Sequence, residues 1–144
     1  MSDELLAAFD KLFELAATLG ERMRDDLAGR GLNTARAEAL FVLYQRGPVM
    51  QRELSQVLRC TPRHVTGLID TLSEQGWVTR EPHPTDRRAT LVSLTDAGHR
   101  QAAEMHERRR AAARAWLGDV PEADLATLTT VLDQALDRIG TRSA

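Results

Sequence analysis

TPRHVTGLIDTLSEQGWVTREPHPTDRRATLVSLTD, residues 61–96, is the stretch whose reading decides the fold. Thr61 carries the hydroxyl that caps a helix, and Pro62 suits a first helical turn, where its missing N–H has no intrahelical partner. Val65, Leu68, Ile69 and Leu72 then recur at helical spacing and form one apolar stripe, while Arg63, His64, Thr66, Gly67 and Asp70 fall on the opposite face. Gly76 is placed to end the helix in the left-handed conformation. Residues 77–81 and 89–94 read as two extended runs, the second with Thr90, Val92 and Leu94 on one face, so the intervening PHPTDRR is the turn of a hairpin. Arg87 and Arg88 sit at its tip.

Working outward, Val49 and Met50 suit a short strand, and residues 51–58 repeat a helix with Leu54, Val57 and Leu58 expected inward. Helix, turn at Arg59 and Cys60, capped helix, arginine-tipped ribbon: this is the order of a winged helix-turn-helix. Such a unit suits a two-point grip on duplex DNA. The helix fits the major groove, and an arginine suits the narrow, electronegative minor groove beside it. Arg63 and His64, at the start of the reading helix, are the expected base-edge contacts, with Thr61 as cap. Thr66 and Gly67 allow close approach to backbone phosphates or a thymine methyl. Arg87 or Arg88 enters the minor groove. Asp86 is expected to brace Arg88 by a charge-assisted hydrogen bond.

Residues 52–98, through ELSQVL, the run TPRHVTGLIDTLSEQGWVTR, the wing PTDRRATLVSLT and the closing DAG, resemble the MarR family of bacterial transcription regulators. Asp86, Arg87 and Arg88, followed by Leu94, Thr95, Asp96 and Gly98, carry the strongest part of the match, and the order of helices extends it over nearly the whole chain. The resemblance implies a dimeric regulator, most often a repressor, whose small-molecule effector binds where the reading domain meets the dimerisation helices. In this chain that region holds Phe41 and Tyr44, the densest aromatic patch, which on its own spacing reads as core. The family usually has a small hydroxyl residue ahead of the first helix of the motif. Met50 stands there instead, at a cost of about 1 kcal/mol at most in lost capping.

The chain ends share a pattern. Leu5, Phe9, Leu12, Ala16, Leu19 and Met23 alternate spacings of four and three along one helix that ends near Gly29 and Gly31. Thr95 caps a second long helix through Gly98, Ala102, Met105, Arg109, Ala112 and Trp116, closed by Gly118. Pro121 opens a last one bearing Leu125, Leu128, Leu132, Leu136 and Ile139. The expected architecture is therefore mostly α with a small β wing (α+β), a single domain over 1–144. Its winged helix-turn-helix spans about 34–97, and its dimerisation helices about 3–29 and 96–140. A twofold homodimer presents two reading helices to a pseudopalindromic operator, with half-sites about 34 Å apart.

Composition limits the alternatives. The 144 residues carry a net charge of −2, which argues against a protein that coats nucleic acid indiscriminately. Residues 45–90 nevertheless hold seven arginines against five acids, so any DNA contact is local. One cysteine, Cys60, cannot form an intrachain disulfide, and the acidic amphipathic start lacks the features of a signal peptide. A cytoplasmic, membrane-free protein is expected. Cys60 sits before the reading helix and offers an alternative reading as a redox sensor; a winged module for protein contacts is another. His64, His83, His99 and His106 form no tight ligand cluster, and catalytic motifs are lacking, so no metal, cofactor or enzymatic activity is expected.

Overall fold

Helix starts follow the available caps. In the computed structural model, which describes residues 1–140, α1 (Asp3–Ala28) begins where the Ser2 hydroxyl accepts the Leu5 N–H at 3.2 Å, and α2 (Thr34–Arg46) where Asn33 accepts from Arg36 N at 2.9 Å. The strand β1 (Val49–Met50) leads directly into α3 (Gln51–Leu58), which has no side-chain cap because Met50 precedes it. Thr61 caps α4 (Pro62–Glu74) by accepting from His64 N at 3.1 Å, with Pro62 in the first turn as expected. The hairpin strands β2 (Val78–Pro82) and β3 (Thr90–Leu94) follow, then α5 (Asp96–Leu117) and α6 (Glu122–Gly140).

The sheet is antiparallel in the order β1-β3-β2. Val92 lies opposite Val49 on one side and Arg80 on the other, and Leu91 opposite Met50 and Glu81. Central β3 therefore locks the wing to the strand that precedes the helix-turn-helix. Leu40 and Leu43 of α2, Leu54 of α3, Val65, Ile69 and Leu72 of α4, and Val78 and Val92 of the sheet are fully buried in one aliphatic core.

Two expectations need correction. Val57 faces outward, at 36% exposure, and Ser55 is buried in its stead. The Ser55 hydroxyl donates to the Cys60 carbonyl at 2.6 Å while Cys60 N donates to Ser55 O, so the turn closes on this small polar residue, with Arg59 in the left-handed conformation at φ 53°. The strands also begin one residue later than the hydrophobic pattern suggests. Trp77 is consumed by the junction: its N–H closes α4 on Leu72 O, and its carbonyl accepts from Thr95 N at 3.1 Å.

That junction is tight. The Thr95 hydroxyl donates to Gly76 O at 2.6 Å and accepts from Gly98 N at 3.0 Å, which caps α5 and ties it to the end of α4. Gly76 has φ 80°, the left-handed value anticipated. Gly98 is there for a different reason, since a Cβ on it would fall on the backbone carbonyl of Trp77.

Chain contacts divide the protein into two compact units, residues 1–105 and residues 106 onward, with the boundary inside α5. In the first, α1 contributes Leu27 to the core, whereas Leu5, Phe9 and Phe13 are exposed, the two rings 6.3 Å apart. In the second, no residue of α6 is buried, and Leu136 and Ile139 are 64% and 68% exposed.

Replacing Gly98 with alanine should force α5 away from Trp77 and lower stability by about 2–3 kcal/mol. At fixed protein concentration, the thermal midpoint is expected to fall by about 6–10 °C, a shift that calorimetry resolves easily.

Candidate nucleic-acid interface

Because α4 buries Val65, Leu68, Ile69 and Leu72, its other face has to be solvent-facing. Thr61, Arg63, His64, Thr66, Gly67 and Asp70 are all exposed there. The Arg63 guanidinium and the His64 ring make no hydrogen bond or ion pair among the described residues, so their donors are available to another molecule. A Cβ at Gly67 would meet nothing within 4 Å. Packing therefore does not require glycine at this position, although glycine costs about 1 kcal/mol relative to alanine inside a helix; its effect is a flat spot on the outward face. Thr66 is less free than its exposure suggests. Its hydroxyl donates to Pro62 O at 2.9 Å and accepts from Gln51 Nε2 at 3.1 Å.

The hairpin turn is ordered by side chains that accept backbone N–H groups. His83 Nδ1 accepts from the amides of Thr85 and Asp86 at 3.2 and 3.3 Å. The Asp86 carboxylate accepts from the backbone N–H of Arg88 at 3.0 Å, and Ala89 N donates to Asp86 O. Asp86 thus braces Arg88, but through its main chain rather than its guanidinium. That arrangement leaves the exposed Arg87 and Arg88 side chains without an internal counter-charge among the described residues.

Arg80 and Gln51 went unnoticed in the sequence. From β2, Arg80 reaches across to α4 and α3: Nη1 to Asp70 Oδ1 at 2.6 Å, Nη2 to the Thr66 carbonyl at 3.1 Å and Nε to Gln51 Oε1 at 3.2 Å. The strand arginine joins the wing to the reading helix. A groove of about 510 Å³ lies between the wing and the two helices, with Gln51, Arg52 and Gln56 of α3 and Thr66 of α4 on one side and Asp86 and Arg88 of the wing on the other. Phe41 and Tyr44 do not line it. Both are half-buried in α2, where Tyr44 packs on the core and its ring lies 5.2 Å from that of His99. Cys60 is half-buried against the same core. Among the described residues no group of three potential ligands is placed to hold a metal ion, and no helix is long and apolar enough to cross a membrane.

Comparison with known proteins places this geometry. The MarR family model matches residues 32–90, which run from the cap of α2 to the start of β3. The HTH-type transcriptional repressor YetL of Bacillus subtilis is 30% identical over 95 residues, covering 65% of this chain and 57% of YetL. The chain spans 53–63% of the length of the first curated relatives it matches. Among solved structures, AbsC, a MarR family transcriptional regulator from Streptomyces coelicolor, aligns with a TM-score of 0.79 at 19% identity, over 98% of this chain and 97% of AbsC. The S. aureus MepR–DNA complex aligns with a TM-score of 0.73 at 17% identity, over 91% of this chain and 97% of MepR. At such identities the structural likeness speaks for the fold, a winged helix-turn-helix flanked by helices. Residues 32–90, the helix-turn-helix and the wing up to the start of β3, thus match the MarR family, and the likeness of fold to MarR family structures reaches into both chain ends.

Proposed function

We propose that this chain is a sequence-specific, double-stranded DNA-binding transcription regulator, a repressor that grips a pseudopalindromic operator as a homodimer and is modulated by a small-molecule effector. The observation that carries this reading is the set of exposed cations without an internal partner among the described residues, Arg63 at the head of α4 and Arg87 and Arg88 on the wing, of which Arg88 lines the groove between wing and helix-turn-helix. In a chain of net charge −2, such cations are best explained by an external polyanion that they meet locally. Arg63 and His64 read base edges from the major groove with Thr61 as the cap of their helix, Thr66 and Gly67 let the backbone come close to the phosphates or a thymine methyl, and a wing arginine occupies the minor groove.

The homodimer follows from the chain ends. Leu5, Phe9 and Phe13 of α1 and Leu136 and Ile139 of α6 are large apolar side chains with no cover of their own, and a second copy supplies it. The effector acts beside Phe41 and Tyr44, where the Tyr44 and His99 rings meet, and shifts the separation of the two reading helices. Effector and operator affinities are then coupled reciprocally. The protein works in the cytoplasm without cofactor or metal. Redox control through Cys60 is not part of this reading, because the thiol is half-buried in the core.

The test is a titration of a duplex, recovered from genomic fragments by the purified protein, at several salt concentrations. Arg88→Ala should flatten the plot of log affinity against log salt by about one unit and weaken all sequences alike, whereas Arg63→Ala should relax discrimination at one base pair by about 1–3 kcal/mol. The absence of salt-dependent binding to any fragment would instead favour a winged module for protein contacts. Asp86→Ala should leave the affinity of Arg63 for its base pair intact but speed amide exchange at Arg88, whose N–H loses its acceptor.

A further inference from the structure

We propose that Arg80, a strand residue that need not touch DNA at all, is the positioning residue that sets the wing arginines at a fixed distance from the reading helix. This rests on the DNA-binding reading above. Three donors of one guanidinium are used on two different helices: Asp70 and the Thr66 carbonyl of α4, and Gln51, the first residue of α3. The amide of Gln51 closes the network, since its oxygen accepts from Arg80 while its nitrogen donates to the Thr66 hydroxyl, itself bonded to Pro62 O. Arg80 is also the β2 partner of Val92, the buried centre of the sheet, so its backbone is held as firmly as its side chain.

The planar fork of arginine matters, because lysine has one ammonium and cannot reach acceptors on two helices in this fixed geometry. The site is half-shielded, with the Arg80 side chain 30% exposed and that of Asp70 53%. Two consequences follow for the grip. First, Arg87 and Arg88 lie beyond the Pro82 and Thr90 pair, at the free end of a two-stranded lever, and a small tilt at Arg80 becomes a large displacement at the tip. Second, Asp70 is a carboxylate in the middle of the outward face of α4, where it would repel phosphates; Arg80 neutralises it in place. Arg80 thus acts through other residues, on the geometry and charge of the surface they form.

A double-mutant cycle on the full-length protein separates this role from a direct phosphate contact. Arg80→Gln, Arg88→Ala and the double variant are titrated against the duplex selected by the wild type. If Arg80 positions the wing, Arg88→Ala costs much less affinity once Arg80 is gone, with a departure from additivity of about fivefold or more. Additive losses, or wild-type affinity in Arg80→Gln, overturn the proposal. Gln51→Ala, which spares the Asp70 ion pair, must show the same non-additivity in weaker form and serves if Arg80→Gln lowers the thermal midpoint. A measurement without DNA completes the test: spin labels at Pro84→Cys and Glu74→Cys, in a Cys60→Ser background, should give a broader distance distribution after Arg80→Gln. An unchanged width overturns the fastening. Absence of salt-dependent binding by the wild type overturns the DNA reading itself, and the claim about DNA falls with it, while the label distances still decide whether Arg80 holds the wing.

Discussion

Val65, Leu68, Ile69 and Leu72 determine what this protein can present to a partner. They place one side of α4 in the core beside Leu40, Leu43 and Leu54. Rotating the helix to bring Arg63 or Thr66 inside would return four aliphatic side chains to water, at about 1.5–3 kcal/mol each, and would bury polar groups without partners. The outward face is therefore held rigidly by what the inward face must do. Its composition, an arginine and a histidine without partners among the described residues, then a threonine and a glycine with open space above it, is a statement about chemistry rather than folding.

The second part of the grip is built onto the same frame. Central β3 pairs with β1 on one side and β2 on the other, so the strand leading into the helix-turn-helix and the ribbon carrying the arginines belong to one sheet. At its base, Thr95 joins the end of α4 to the start of α5 through Gly76 and Gly98, and the Trp77 carbonyl leaves no room for a side chain at position 98. At mid-length, Arg80 ties the ribbon to α3 and α4. Only the tip is left to be ordered by His83 and Asp86, and there the Arg87 and Arg88 side chains have no counter-charge among the described residues. Rigid where it meets the core and carrying exposed arginines where it meets solvent, the wing has the form that the proposed grip on DNA requires.

Much of this was legible in residue order because its causes are local. Thr61 with Pro62, Thr95 and Gly76 mark helix ends through chemistry that acts within four residues, and the stripe from Val65 to Leu72 declares its face by period alone. Val57 misled because α3 has only eight residues, and two turns do not define an inward direction; the turn that follows, closed by Ser55 on Cys60, decides it. Gly98 looked like a small member of an apolar seam, whereas its neighbour is a backbone carbonyl 21 positions earlier. Arg80 and Gln51 were invisible for a similar reason. Their partners lie 14 and 29 residues away or sit on another element, and an arginine in a strand beside Glu81 reads as a solvated charge until the fold brings Asp70 to it. Thr66 was assigned to the outward face correctly, but its hydroxyl proved to be occupied by Pro62 and Gln51.

The central claim is that two copies of this frame hold paired helices and paired ribbons at the pitch of duplex DNA. Hydroxyl-radical cleavage of a bound operator reports that geometry base by base. The account predicts two symmetric protected zones on one face of the duplex, with centres about one helical turn apart and flanking minor-groove protection where the wings lie. A single protected zone, or protection without twofold symmetry, would contradict it.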